Sequence, residues 1–128
     1  MKLIDYQKAY RKATGIKKLK YHNIKVMYKG ILMDSNLERE CAMILDSKGW
    51  KWEYHKIINI WHNNDFSLGI EHEMDFIVIN GFLNILIEVK GKVLQDYRIK
   101  RKLIIDYCKR YGYEFYEYTR KKGLVQIV

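Results

Sequence analysis

Apolar positions along the chain change period several times, and each change marks an element. Ile4 to Thr14 reads as a short helix stopped by Gly15. Between Asn23 and Tyr28 the pattern alternates, with Ile24, Val26 and Tyr28 on one side. Lys29-Gly30 then makes a turn, and Ile31 to Met33 continues as strand. Leu37, Cys41, Ile44 and Leu45 share one face of a helix predicted over 36–48, and Gly49 suits the left-handed position after its end. Trp50, Trp52 and Tyr54 alternate on a strand that extends to Ile60, and the polar stretch from Trp61 to Gly69 is predicted as a loop.

The centre of the chain predicts a hairpin. Met74 to Ile79 and Phe82 to Lys90 are rich in β-branched and aromatic residues, and Asn80-Gly81 between them is a strong two-residue turn signal. A long helix follows from Gln95 to Tyr111, stopped by Gly112, with Tyr97, Leu103, Ile104, Tyr107, Cys108 and Tyr111 as its core stripe. Tyr113 to Tyr118 and Leu124 to Val128 close the chain as strands. A helix between the hairpin and the next strand implies parallel pairing through a right-handed crossover. The expected fold is α/β, a mixed central sheet flanked by helices, with an active-site hairpin. Without Ser/Gly linkers or repeats, one domain is expected, a basic arm over 1–30 preceding a core over 31–128.

Composition narrows the function. No apolar run of the 128-residue chain approaches the ~18–20 residues that a membrane span needs. Two cysteines, Cys41 and Cys108, cannot make a disulfide framework, and a reducing, cytoplasmic setting is expected. The net charge of +9 is unevenly spread. Residues 1–30 carry nine bases and one acid, residues 31–90 five bases and ten acids, and residues 91–128 ten bases and four acids. An acidic middle between basic ends suits a polyanion-binding protein with a carboxylate-rich metal site; a solvated basic surface without a partner is the alternative.

An Asn80-Gly81 turn would place Asp75 opposite Leu86 and on the same face as Glu88 and Lys90, with Glu73 directly opposite Glu88. Crowded carboxylates are unfavourable unless a cation or the lysine compensates them. Hard oxygen ligands without Cys or His favour Mg²⁺ or Mn²⁺. The alternative is a solvated sheet face with Glu and Lys in cross-strand pairs, which fits poorly beside the apolar run Leu83-Asn84-Ile85-Leu86-Ile87.

Met74-Asp75-Phe76 followed by Ile87-Glu88-Val89-Lys90-Gly91 resembles the Asp…Glu-x-Lys core of the PD-(D/E)XK nucleases. Ser35-Asn36-Leu37-Glu38 at a helix start, and Ser47-Lys48-Gly49 before an aromatic strand, are similar to the phage endonuclease I type, which resolves Holliday junctions. Met74 stands where the family often has proline. The resemblance covers residues 30–92 and extends, more weakly, over the helix to Tyr111; it leaves the first 29 residues unexplained. It implies a restriction-endonuclease-like fold and a metal-dependent DNA endonuclease that hydrolyses phosphodiester bonds, on branched DNA or on duplex. In such a site Asp75 and Glu88 would ligate Mg²⁺ or Mn²⁺ with the Val89 carbonyl. Lys90 would orient water or steady phosphate charge, and Glu38 would complete the acidic cluster. A homing, repair or restriction-like endonuclease, or a catalytically silent DNA-binding subunit, are the other readings. A homodimer is expected, because one site cuts one strand and paired cuts need two.

Several residues keep two readings. Ser35-x-x-Glu38 is also a capping box, in which the glutamate serves only the helix start. Glu73 is a third strand carboxylate and possible metal ligand, or a rim charge. Arg98, Lys102 and Lys109 share one helix side and form a phosphate-contacting ridge or a solvated face. Lys17, Lys18 and Lys20 belong to a DNA-gripping arm or to a flexible basic tail.

Overall fold

The computed structural model describes residues 24–91 and 95–128. Their elements are β1 (Val26–Tyr28), β2 (Ile31–Met33), α1 (Asn36–Ser47), β3 (Trp52–His62), β4 (Gly69–Asn80), β5 (Leu83–Val89), α2 (Gln95–Tyr111), β6 (Glu114–Thr119) and β7 (Gly123–Gln126). The helix expected over 4–14, and Lys17, Lys18 and Lys20, lie outside the described residues.

The chain divides into two compact units, Met1–Glu40 and Cys41–Val128. In the first, β1 and β2 form an antiparallel hairpin in which Tyr28 faces Ile31. Its two turn residues, Lys29 and Gly30, both have positive φ (49° and 80°), as the turn that best matches strand twist demands. Lys25 and Asp34 pair across the open end at 3.5 Å.

In the second unit a five-stranded sheet runs in the order β3-β4-β5-β6-β7. Only β5 and β6 are parallel, and α2 connects them. The architecture is thus mixed α/β. Central β5 buries Ile85, Leu86 and Ile87 completely, which explains its nearly unbroken apolar run: both of its faces are covered. Ile104 and Cys108 of α2 pack with Ile77, Leu86 and Phe115 of the sheet, and with Ile58, Ile60 and Met74. Each such burial is worth roughly 1.5–3 kcal/mol relative to exposure. Both cysteines are buried and outside any disulfide, and burial pushes the Cys108 thiol up to about 12. Among the described residues no helix is long and apolar enough to cross a membrane.

The structure corrects several details. The hairpin turn is Gly81-Phe82, with Asn80 facing Leu83, not Asn80-Gly81. Gly81 has φ +61°, and a glycine at the first of two turn positions is the type II′ arrangement. Partners therefore slide, so that Ile77, not Asp75, faces Leu86. β4 starts at Gly69, since Ile70, Glu71 and His72 pair with β3, and the loop shrinks to 63–68. Trp50 precedes its strand, and Tyr111 is 55% exposed, a frayed end of the helix stripe.

Candidate active site

The side-chain alternation of β4 breaks at Asp75. Met74 and Ile77, three positions apart, belong to one buried cluster, whereas Phe76 between them packs its ring against Trp52 (5.2 Å) and Tyr54 (5.4 Å). Tyr54 pairs with Phe76 and Lys56 with Met74, which leaves His55 across from Asp75. His55 has φ +56°, a left-handed conformation rare for a residue within a strand. Backbone held there costs of order 1–3 kcal/mol and is found where function or packing overdetermines it. Its ring stacks on Tyr54 at 3.7 Å, and its Nδ1 lies 2.7 Å from Glu73 Oε1.

Asp75, Glu88 and Lys90 come together where β4 and β5 separate. The ladder between these strands ends at Phe76–Ile87, and beyond it each carboxylate accepts a backbone amide of the opposite strand. The Val89 amide donates to Asp75 Oδ2 at 2.7 Å, and the Asp75 amide donates to Glu88 Oε1 at 3.2 Å. His72 Nε2 lies 3.0 Å from the same Glu88 oxygen. Glu88 is buried with only 6% exposure, so this charge needs partners. His72 is thus one of the partners of this buried carboxylate. Glu73 does not stand opposite Glu88; it turns to His55, half-exposed.

The parallel pairing brings in Glu117, which sequence reasoning missed: it is the β6 partner of Glu88. A third carboxylate thus stands on the strand beside Glu88, and Glu88, Glu117 and Asp75 all act electrostatically on Lys90. Glu117 Oε2 accepts from the Tyr97 hydroxyl and, at 3.1 Å, from Arg101 Nε. The Lys90 ammonium lies over the Tyr97 ring. Burial lowers the Lys90 pKa to about 8 even though Glu88, Glu117 and Asp75 oppose the shift. Burial likewise raises the Tyr97 phenol, helped by its bond to Glu117, and that bond raises Arg101. A strand carboxylate beside an α2 Tyr and Arg was the available signal, but a helical crossover leaves parallel register open.

Glu38 lies in the first turn of α1 and is buried. Its amide donates to Ser35 Oγ at 3.1 Å, and that hydroxyl donates to Glu38 Oε2 at 3.1 Å. These are the bonds of a helix cap. A cap role predicts that Glu38→Gln changes stability by less than about 0.5 kcal/mol, since glutamine accepts the same hydroxyl. Thermal unfolding checks this; lost DNA cleavage at unchanged stability would instead reveal the role implied by the nuclease resemblance. Arg98, Lys102 and Lys109 are all exposed on α2.

Asp75, Glu88 and the Val89 carbonyl offer only oxygen, the donor type that hard divalent cations take. Comparison of the chain with family models, curated proteins and solved structures finds no match.

Proposed function

We propose that this chain is a metal-dependent DNA endonuclease of the PD-(D/E)XK type, with a restriction-endonuclease-like core. The observation that carries this reading is the meeting of Asp75, Glu88 and Lys90 at the parted end of one hairpin, where each of the two carboxylates accepts a backbone amide of the opposite strand. Asp75, Glu88 and the Val89 carbonyl would hold Mg²⁺ or Mn²⁺, which when bound supplies charge neutralisation at phosphate and a more acidic water. Lys90 adds a positive charge that burial has partly stripped of water, so that a phosphate oxygen is an effective partner. The bonds from Val89 and Asp75 amides fix both carboxylates before substrate arrives. Such preorganisation spares reorganisation during the reaction. The exposed Arg98, Lys102 and Lys109 would contact phosphates flanking the site. Branched DNA as the substrate and a homodimer as the working form are part of the same proposal, since paired cuts require paired sites.

The test is cleavage of plasmid, linear duplex and a four-way junction of matched sequence, with Mg²⁺, Mn²⁺, Ca²⁺ or chelator. Cleavage is expected with the first two ions and none with chelator, and the junction should be cut in preference to the duplex. Alanine at Arg98, Lys102 and Lys109 together should weaken binding and lower its salt slope by up to about 3. Inactivity with every ion, beside intact DNA binding, would replace the nuclease with a silent DNA-binding subunit.

A further inference from the structure

Each carboxylate at the site is hydrogen-bonded to the protein, whereas Lys90, among the described residues, is not paired to any of them. Asp75 Oδ2 accepts the Val89 amide, Glu88 Oε1 is bonded to the Asp75 amide and His72, and Glu117 Oε2 takes Tyr97 and Arg101. Among the described residues Lys90 makes no ion pair, although Glu88, Glu117 and Asp75 are the negative charges that act on it. Its ammonium rests instead on the Tyr97 ring. A lysine is a point charge on a flexible four-carbon stem and, beside three carboxylates, would ordinarily swing onto one of them. The ring face attracts a cation weakly, by ~0.5–2 kcal/mol, which holds the ammonium without neutralising it.

Tyr97 is well anchored for this task. It is buried to 8% exposure on α2, and its hydroxyl binds the same carboxylate oxygen that Arg101, one helical turn further on, also binds. That bond does two things together. It fixes the ring, and it occupies Glu117, the strand partner of Glu88.

We propose that Tyr97 is a positioning residue for the reaction, a role that rests on the nuclease reading of the site. Its ring keeps the Lys90 ammonium off the carboxylates and available to phosphate, while its hydroxyl, with Arg101, removes Glu117 from competition for that ammonium.

The full chain and its Tyr97→Phe, Tyr97→Leu, Lys90→Ala and Lys90→Ala/Tyr97→Leu variants test this in two measurements. In NMR spectra, the Lys90 ε-methylene protons should lie upfield from ring current in the wild type and in Tyr97→Phe, and return to ordinary positions in Tyr97→Leu. In single-turnover cleavage with Mg²⁺, Tyr97→Leu should lose about 10- to 100-fold in rate with DNA affinity nearly unchanged. Tyr97→Phe, which keeps the ring and frees Glu117, should fall between that variant and the wild type. The double variant should be no slower than Lys90→Ala, because both changes remove one function. A structural role would instead make the two losses additive and spread them over stability. If Tyr97→Leu fails to fold, Tyr97→Phe carries the test, and a rate equal to wild type overturns the assignment. Unshifted Lys90 protons in an active wild type, or an unimpaired folded Tyr97→Leu, also overturn it while leaving the nuclease reading intact. A wild type inactive with Mg²⁺ and Mn²⁺ overturns both.

Discussion

Asp75→Asn and Glu88→Gln are each expected to abolish Mg²⁺-dependent DNA cleavage, by at least ~10²–10³-fold, while DNA binding holds or tightens. The local structure should survive both changes. Asp75 accepts the Val89 amide through Oδ2, and an asparagine carbonyl can accept it too. Glu88 accepts the Asp75 amide through Oε1, and a glutamine carbonyl keeps that bond. What each amide lacks is the negative charge that holds a divalent cation. Removing a carboxylate also lessens repulsion of the phosphate backbone, so binding measured with Ca²⁺ should not fall. Cleavage at the wild-type rate by either variant, with unfolding curves unchanged, would mean that the hairpin carboxylates are not the catalytic set.

The pairing of Asp75 with Glu88 was legible in the sequence even though its register was not. Moving the turn from Asn80-Gly81 to Gly81-Phe82 slides each strand by one residue in the same sense. The two slides together preserve which faces meet, since a side chain changes face only on a net shift of one. Asp75, Glu88 and Lys90 therefore stayed together although the opposite neighbours changed. Turn choice itself was ambiguous because Asn80-Gly81 suits one two-residue turn and a leading Gly81 suits another. Phe82, apolar and at the turn, argued against the second, yet it stands fully in solvent.

The residues that remained hidden depend on long-range placement. Glu117 reaches Glu88 only through a parallel register whose connection runs through the whole of α2, and such a register has no local signature. His55 needs a positive φ inside an otherwise regular strand, where no glycine or asparagine announces it. The early start of β4 was masked by Glu71 and Glu73, exposed polar residues paired to β3, and by His72, which turns to Glu88. Polarity at Glu71 and Glu73 reports solvent, not loop. By contrast α1, α2 and the parallel β6 followed from periodicity and from the glycines that end each helix, because burial of one face is written directly into local spacing.

Phe115→Ala is expected to destabilise the chain by about 3–5 kcal/mol, a large share of the ~5–15 kcal/mol that holds an ordinary domain together. Phe115 is fully buried and packs in the cluster that joins Ile77 and Leu86 of the sheet to Ile104 and Cys108 of α2. Its backbone is held independently: it pairs with Leu86, its amide donates to Val128 O at 3.2 Å, and its carbonyl accepts from Ile127 at 2.7 Å. The strand cannot readily collapse into the space left by the ring, so the cavity term should persist. Phe82→Ala is the matched comparison, since Phe82 is 103% exposed and should change stability by no more than about 0.5 kcal/mol. Urea unfolding of the two variants beside the wild type measures both. Loss of packing between β6 and α2 also loosens the elements that carry Glu117, Tyr97 and Arg101. Phe115→Ala should therefore lose cleavage activity at temperatures where the sheet is still folded, and Phe82→Ala should not. Equal midpoints for the two variants would mean that the cluster between α2 and β6 does not hold this sheet together.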